Sequence, residues 1–152
     1  MSTLRAPPSG SWSRFASTWG LPPMSVREVT KMAVATSELQ GINRFKFHEG
    51  KLEEFKRLSA RAMEIARAKD SGTLQYEIYF NDDQSECIVL ERYRDSEALL
   101  EHGANLGELS QAILATGSVT GACLGEPSAE LKALLAGSPV QLFTPYLSLA
   151  RR

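Results

Sequence analysis

From Gln40 onward the spacing of apolar positions alternates between two residues and three to four, and each switch marks an element. Asn43, Phe45 and Phe47 share one parity while Ile42, Arg44 and Lys46 take the other, which predicts a first strand. After a turn at His48-Glu49-Gly50, Leu52, Phe55, Leu58, Ala62 and Ile65 recur at helical spacing. Lys51, Glu54, Arg57, Arg61 and Glu64 fall largely on the wet side. Asp70-Ser71-Gly72 ends this helix, with Gly72 suited to a left-handed cap. Leu74, Tyr76, Ile78 and Phe80 then alternate with Gln75, Glu77 and Tyr79 in a second strand. The polar run Asn81-Asp82-Asp83-Gln84 predicts a hairpin into a third strand beginning at Glu86.

In that third strand Ile88 and Leu90 alternate with Cys87, Val89 and Glu91. Asp95 or Ser96 caps the helix that follows, and Glu97 sits in its first turn, where negative charge is favoured. The helical region runs from Ser96 to Thr116, bent or split by Gly103 and Gly107. A fourth strand covers about Val119 to Leu124. A short helix opens at Pro127-Ser128, with Leu131, Leu134 and Leu135 as its apolar stripe. A last extended segment, Val140 to Leu149, carries Pro145, which favours an edge or a crossing arm.

The order strand, helix, strand, strand, helix, strand predicts an α+β domain of the ferredoxin-like, split βαβ type, with an antiparallel sheet and helices on one face. A C-terminal helix and arm are added to it. The strands carry apolar side chains on both parities, so the second sheet face also needs a cover. A second copy of the same sheet supplies one economically, which predicts a two-fold homodimer.

Composition narrows the picture. The chain has 152 residues, 43% of them hydrophobic, which is the size and content of one ordinary core. Residues 1–36 stand apart: they hold four prolines and many serines, and no acidic residue precedes Glu28. Such a stretch cannot bury a core and is expected to be a flexible extension to a domain spanning 37–152. Its arginines, Arg5, Arg14 and Arg27, give a trace of organelle-transit character, whereas Met24 and Met32 fit an extended start. Trp12 and Trp19 are candidates for docking on the domain surface or on a partner. The net charge of −1 gives no general attraction for nucleic acid or an anionic membrane. No apolar run approaches the roughly 20 residues of a membrane helix. Cys87 and Cys123 read as two small buried thiols in a reducing cytoplasm. No CxxC, HExxH, P-loop or GxGxxG motif supports a metal or a nucleotide, so neither metal nor cofactor is expected.

The strand ending Glu91-x-Tyr93, followed by Asp95-x-Glu97-Ala98-Leu99 and His102, resembles the signature of the antibiotic biosynthesis monooxygenase (ABM) family. Asn43-Arg44-Phe45 and the helix opening Gly50-Lys51-Leu52-Glu53-Glu54-Phe55 extend the resemblance, which covers about Ile42 to Leu124. It implies a dimeric α+β barrel. It also implies one of several chemistries, among them cofactor-free oxidation of quinols and polycyclic aromatics, haem degradation, or no reaction at all. Tyr93 stands where the family usually has tryptophan. The haem-degrading branch needs an iron-binding histidine where Ala112 falls, so haem degradation is disfavoured.

A cofactor-free oxygenase deprotonates an electron-rich phenol or quinol, whose anion passes an electron to oxygen in a dry pocket. The protein supplies a proton acceptor, hydrogen bonds for the anion and apolar walls. The candidates are His102 as base, Asn43 and Tyr93 as orienting groups, Tyr76 as pocket wall or phenol donor, and Phe45 as apolar wall. Glu91 accepts a proton or orients His102. Several have plainer uses: Asn43 satisfying backbone, the tyrosines as core aromatics, His102 as a structural donor. Glu91 needs a partner if buried, and Arg44 and Arg92, on the opposite parity of their strands, suit a structural ion pair across a dimer. The expected function is a cofactor-independent monooxygenase acting on a small quinol or phenolic polyketide aromatic in the cytoplasm. The rival is a non-catalytic dimeric barrel that binds a small apolar ligand or acts as an assembly module. A closed cavity lined by Asn43, Tyr76, Tyr93 and His102 separates an enzyme or binder from a structural module, whose interior would be packed.

Overall fold

The computed structural model describes residues 37–149. The N-terminal extension, with Trp12 and Trp19 and any transit character, lies outside the described residues. A compact unit ends at Pro145. It runs β1 (Leu39–Phe47), α1 (Leu52–Lys69), β2 (Thr73–Phe80), β3 (Glu86–Tyr93), α2 (Ser96–Leu106), α3 (Glu108–Leu114), β4 (Gly117–Leu124), α4 (Ala129–Leu135) and β5 (Val140–Phe143). Beyond it, residues 146–149 carry neither helix nor strand, and Tyr146, Leu147 and Leu149 are exposed.

The strands form one sheet in the order β2-β3-β1-β4-β5. The first four pair antiparallel, in the ferredoxin-like arrangement expected from the pattern. The fifth departs from a wholly antiparallel sheet. It lies on the edge beside β4 and runs parallel to it, because α4 carries the chain back to the strand's starting end. Edge placement accommodates Pro145 just beyond it.

Period-2 patterning sets the faces. Phe45, Cys87 and Val89 turn inward beneath the helices and join Phe55, Leu58, Ala62 and Ile113 in the buried core. Phe45, Phe47 and Phe80 pack their rings around Phe55, at centroid distances from 4.8 to 6.2 Å. On the opposite face Ile42, Ile88, Leu90 and Arg92 are only partly buried, and Arg92 Nε is buried without a hydrogen-bond partner among the described residues.

Three expectations need correction. Gly72 is not a left-handed cap: the cap is Asp70 in extended backbone, and only Gly50, Gly107 and Gly125 have positive φ among the described glycines. Gly72 is instead a close-approach glycine, since a Cβ there would lie 2.5 Å from that of Ala98 on α2. In β2, the pairing steps from Thr73 opposite Tyr93 to Gln75 opposite Arg92, so Leu74 is an extra, bulged residue and is exposed. In α4 only Leu131 is buried, while Leu134 is 63% exposed. The long helical region splits at Gly107 (φ 51°), one of the two glycines expected to bend or split it.

Among the described residues no helix is long and apolar enough to cross a membrane.

Candidate active site

A cavity of about 300 Å³ opens between the sheet and the helices. Its lining is mostly apolar, with Phe45 and Val89 from the sheet and Leu99, Leu106 and Ile113 from α2 and α3. The added C-terminal elements close one side through Leu135, Pro139 and Val140. Strand pairing positions that side, since Gly121 of β4 donates its N–H to the Pro139 carbonyl at 3.1 Å.

The polar groups gather at one end. Asn43, Tyr76, Glu91, Tyr93 and His102 all line the cavity. The six residues expected from sequence therefore converge, Phe45 among them as wall. Such convergence of a few polar groups in an apolar pocket is the usual form of a ligand or reaction site.

His102 lies on the second turn of α2, a helix started by Asp95, whose side chain accepts the Ala98 N–H at 2.9 Å. Its side chain is 7% exposed. Nδ1 lies 2.6 Å from Oδ2 of Asp70, the residue that ends α1. Asp70 also accepts from Asn105 Nδ2 at 2.8 Å and from Thr73 Oγ1 at 2.7 Å. Burial by itself raises the Asp70 pKa, but these hydrogen bonds outweigh it and hold the carboxyl below its ordinary value. The anion accepts the Nδ1 hydrogen, so in the neutral ring the lone pair is on Nε2. Tyr76 and Tyr93 flank the imidazole, with ring centroids 5.4 and 5.5 Å away.

Nε2 faces Glu91 Oε1 across 3.9 Å, too far for a hydrogen bond. Glu91 does not orient His102, then; Asp70 does. The other Glu91 oxygen, Oε2, accepts from Asn43 Nδ2 at 3.2 Å. Asn43 thus serves a carboxylate rather than backbone. Burial pushes the Glu91 pKa up, opposed by His102 and by hydrogen bonds from Tyr93 and Asn43. Burial likewise raises both tyrosines, and Glu91 adds to this whenever it is ionised, which keeps their hydroxyls as donors.

Arg44 pairs with Glu86 on the outer face, leaving Glu91 to the cavity. Asp70 is the site residue that the sequence did not disclose, because its position after a helix reads as a turn. Cys87 and Cys123 are free and buried, and burial pushes the Cys87 thiol up to about 11, which leaves it unreactive near neutrality. Among the described residues no group of three or more His, Cys, Asp or Glu is arranged to hold a metal ion.

Comparison with known proteins agrees with this architecture. The family model "Antibiotic biosynthesis monooxygenase" matches residues 41–106. No curated protein matches the chain. Among solved structures, MupZ from Pseudomonas fluorescens superposes with a TM-score of 0.65 at 26% identity, covering 76% of this chain and 91% of its own. Rv0793 from Mycobacterium tuberculosis gives 0.53 at 23%, covering 60% and 97%. A variant of SnoaB, a cofactor-independent oxygenase from Streptomyces nogalater, gives 0.51 at 20%, covering 58% and 91%. The last two share the fold. The segment that matches the antibiotic biosynthesis monooxygenase model contains Asn43, Asp70, Tyr76, Glu91, Tyr93 and His102.

Proposed function

We propose that the protein is a cofactor-independent monooxygenase that oxidises a small quinol or phenolic, polyketide-type aromatic with molecular oxygen. The observation that carries this reading is the Asp70–His102 pair, which turns a basic nitrogen toward the polar end of an apolar cavity. His102 takes the proton of a phenol or of an activated methylene. Tyr93, Tyr76 and Asn43 hold the resulting anion by hydrogen bonds, and the apolar walls keep water from it. The anion gives up electrons to oxygen. A ring methylene becomes a carbonyl, its two hydrogens leaving with the second oxygen atom as water. The family match and the fold shared with SnoaB support the reaction class.

The assembly that fits this reading is a cytoplasmic homodimer, joined through the sheet face that the helices leave bare. Partly buried Ile88 and Leu90 and Arg92 Nε, which has no hydrogen-bond partner among the described residues, support it.

The test is oxygen uptake by metal-chelated protein with a panel of hydroquinones and anthrones. Uptake above the spontaneous rate that yields oxygenated product, and that falls in His102→Ala and Tyr93→Phe, is the expected result. No uptake across the panel overturns the oxygenase reading in favour of a ligand-binding barrel.

A further inference from the structure

Oxygenation leaves one buried group unused. A base and a dry wall suffice to make an anion and let oxygen take its electrons, and no step of that reaction calls on Glu91. It lines the polar end of the cavity with its side chain only 16% exposed, and burial favours its protonated form. It faces His102 Nε2 at 3.9 Å, close enough that one small substrate group can touch both, and too far for the two to satisfy each other. Asn43 fixes the far carboxyl oxygen, and Asp70 fixes the far imidazole nitrogen. The two reactive atoms are therefore held from behind and point into the same space. A matched acid and base on adjacent sides of a pocket is the arrangement for moving protons within a substrate.

We propose that this site also catalyses oxygen-independent keto–enol proton transfer on cyclic ketones that carry an acidic α-methylene beside an apolar ring system. His102 Nε2 removes a proton from the α-carbon as the C–H bond breaks. The electron pair moves into the C=C bond, and the carbonyl oxygen takes the carboxyl proton of Glu91. The enol is neutral, and the protein is left with an imidazolium facing a carboxylate. Return of the two protons regenerates the ketone, with the proton placed on the original carbon or on a conjugated one. Nothing is oxidised or reduced, and no co-reactant is consumed. The α-carbon and the carbonyl oxygen are separated by one atom, so a single ligand can meet both groups. The apolar walls, Val89, Leu106 and Ile113 among them, suit a fused-ring body.

The activity shares its pocket with the proposed oxygenation but needs no oxygen, and the two are separable by experiment. The full-length protein is incubated under argon in D2O buffer with 2-tetralone, and loss of the α-methylene signal is followed by proton NMR. Exchange is expected to saturate with ketone, to be inhibited by 2-naphthol, and to fall at least tenfold in His102→Gln and in Glu91→Gln. His48→Gln, a change to the exposed turn histidine, should leave it unchanged. Saturation and inhibition are read on the unaltered chain, so they do not depend on any variant folding. Exchange no faster than in buffer overturns the proposal, as does exchange insensitive to 2-naphthol or lost equally in His48→Gln. Oxygen uptake without exchange would overturn this inference and leave the oxygenase reading standing. Exchange without oxygen uptake would do the reverse.

Discussion

Asp70 stands directly behind His102, its Oδ2 2.6 Å from Nδ1, although 32 residues separate them and they belong to different elements. Two small residues make the meeting possible. Gly72 lets the turn after α1 press against Ala98 of α2, where any side chain would collide. Once there, the Asp70 carboxylate collects three side-chain hydrogen bonds, from His102, Asn105 and Thr73. The pair therefore joins the end of one helix to the interior of the next and at the same time decides which imidazole nitrogen meets the cavity.

Asp70→Asn keeps the shape but replaces an acceptor by an amide whose N–H₂ cannot receive the Nδ1 hydrogen. The ring is then free to take the other tautomer. Turnover should fall by about 10²- to 10⁴-fold, the range of a misdirected general base. Turned the other way, the amide keeps its oxygen on Nδ1 and instead sets its N–H₂ against the Asn105 donor, a buried mismatch that costs about 1–3 kcal/mol. Thermal melting and steady-state kinetics check the two effects separately, and binding of an unreactive naphthol should change little.

Glu91 gives the stability a definite pH dependence. Its folded pKa lies above the ordinary 4.5, so the native state holds this proton where the unfolded chain has lost it. The associated stability is complete below about 4.5 and disappears as pH rises through the raised value. Glu91→Gln removes the loss. The melting temperature of the variant should match that of the parent in acid and exceed it progressively toward alkaline pH. The relative gain is about 1.4 kcal/mol for each pH unit between the two pKa values. Asp70 acts in the opposite sense, its contribution being lost only as pH falls through its lowered value. A melting difference that does not vary with pH would show that Glu91 is not held protonated by its surroundings.

Most of the frame could be read from the chain because the signals are local. Alternation at Asn43-Phe45-Phe47, the polar hairpin at Asn81–Gln84 and the cap at Asp95 each depend on a few neighbouring residues. What escaped were relationships between distant segments. Leu74 fits an alternating strand perfectly well by itself, and only the pairing of β2 with β3 shows it to be a bulge. Leu134 shares the helical stripe of Leu131, but a seven-residue helix at the edge has room to bury just one of them. Asp70 looks like a turn residue for the same reason: its partner is on another helix. The pocket residues were legible because the family resemblance singled them out, whereas the group that orients the base was not.

The bare sheet face yields a test of assembly. Leu90 points away from the helices and is partly buried beside Arg92, whose Nε has no hydrogen-bond partner among the described residues. A carboxylate placed there, Leu90→Glu, would be desolvated in any sheet-to-sheet interface, at several kcal/mol in all. Sedimentation should show a dimer for the parent and a monomer for the variant at micromolar concentration. The circular dichroism of the monomer should keep its α+β character, since Leu90 contributes nothing to the inner core. A parent that sediments as a monomer would sink the dimer.

Gly121 tests whether the C-terminal addition and the site asparagine are mechanically linked. A Cβ at this position would lie 2.4 Å from Asn43 Oδ1 and 3.1 Å from Val140 Cγ2. The glycine is thus pinched between the polar end of the cavity and the edge strand β5. Gly121→Ala forces one neighbour to move. Val140 sits on a four-residue edge strand and can yield a few tenths of an ångström, whereas Asn43 is held in the sheet between β3 and β4 and must rotate its side chain. Rotation breaks the Asn43–Glu91 hydrogen bond and tilts the carboxyl. The overpacking should cost about 1–3 kcal/mol. Turnover should fall in Gly121→Ala, and adding Asn43→Ala to it should cost much less than Asn43→Ala does alone, because the first change has already displaced the side chain. Fully additive effects in that cycle would show that Gly121 and Asn43 act independently.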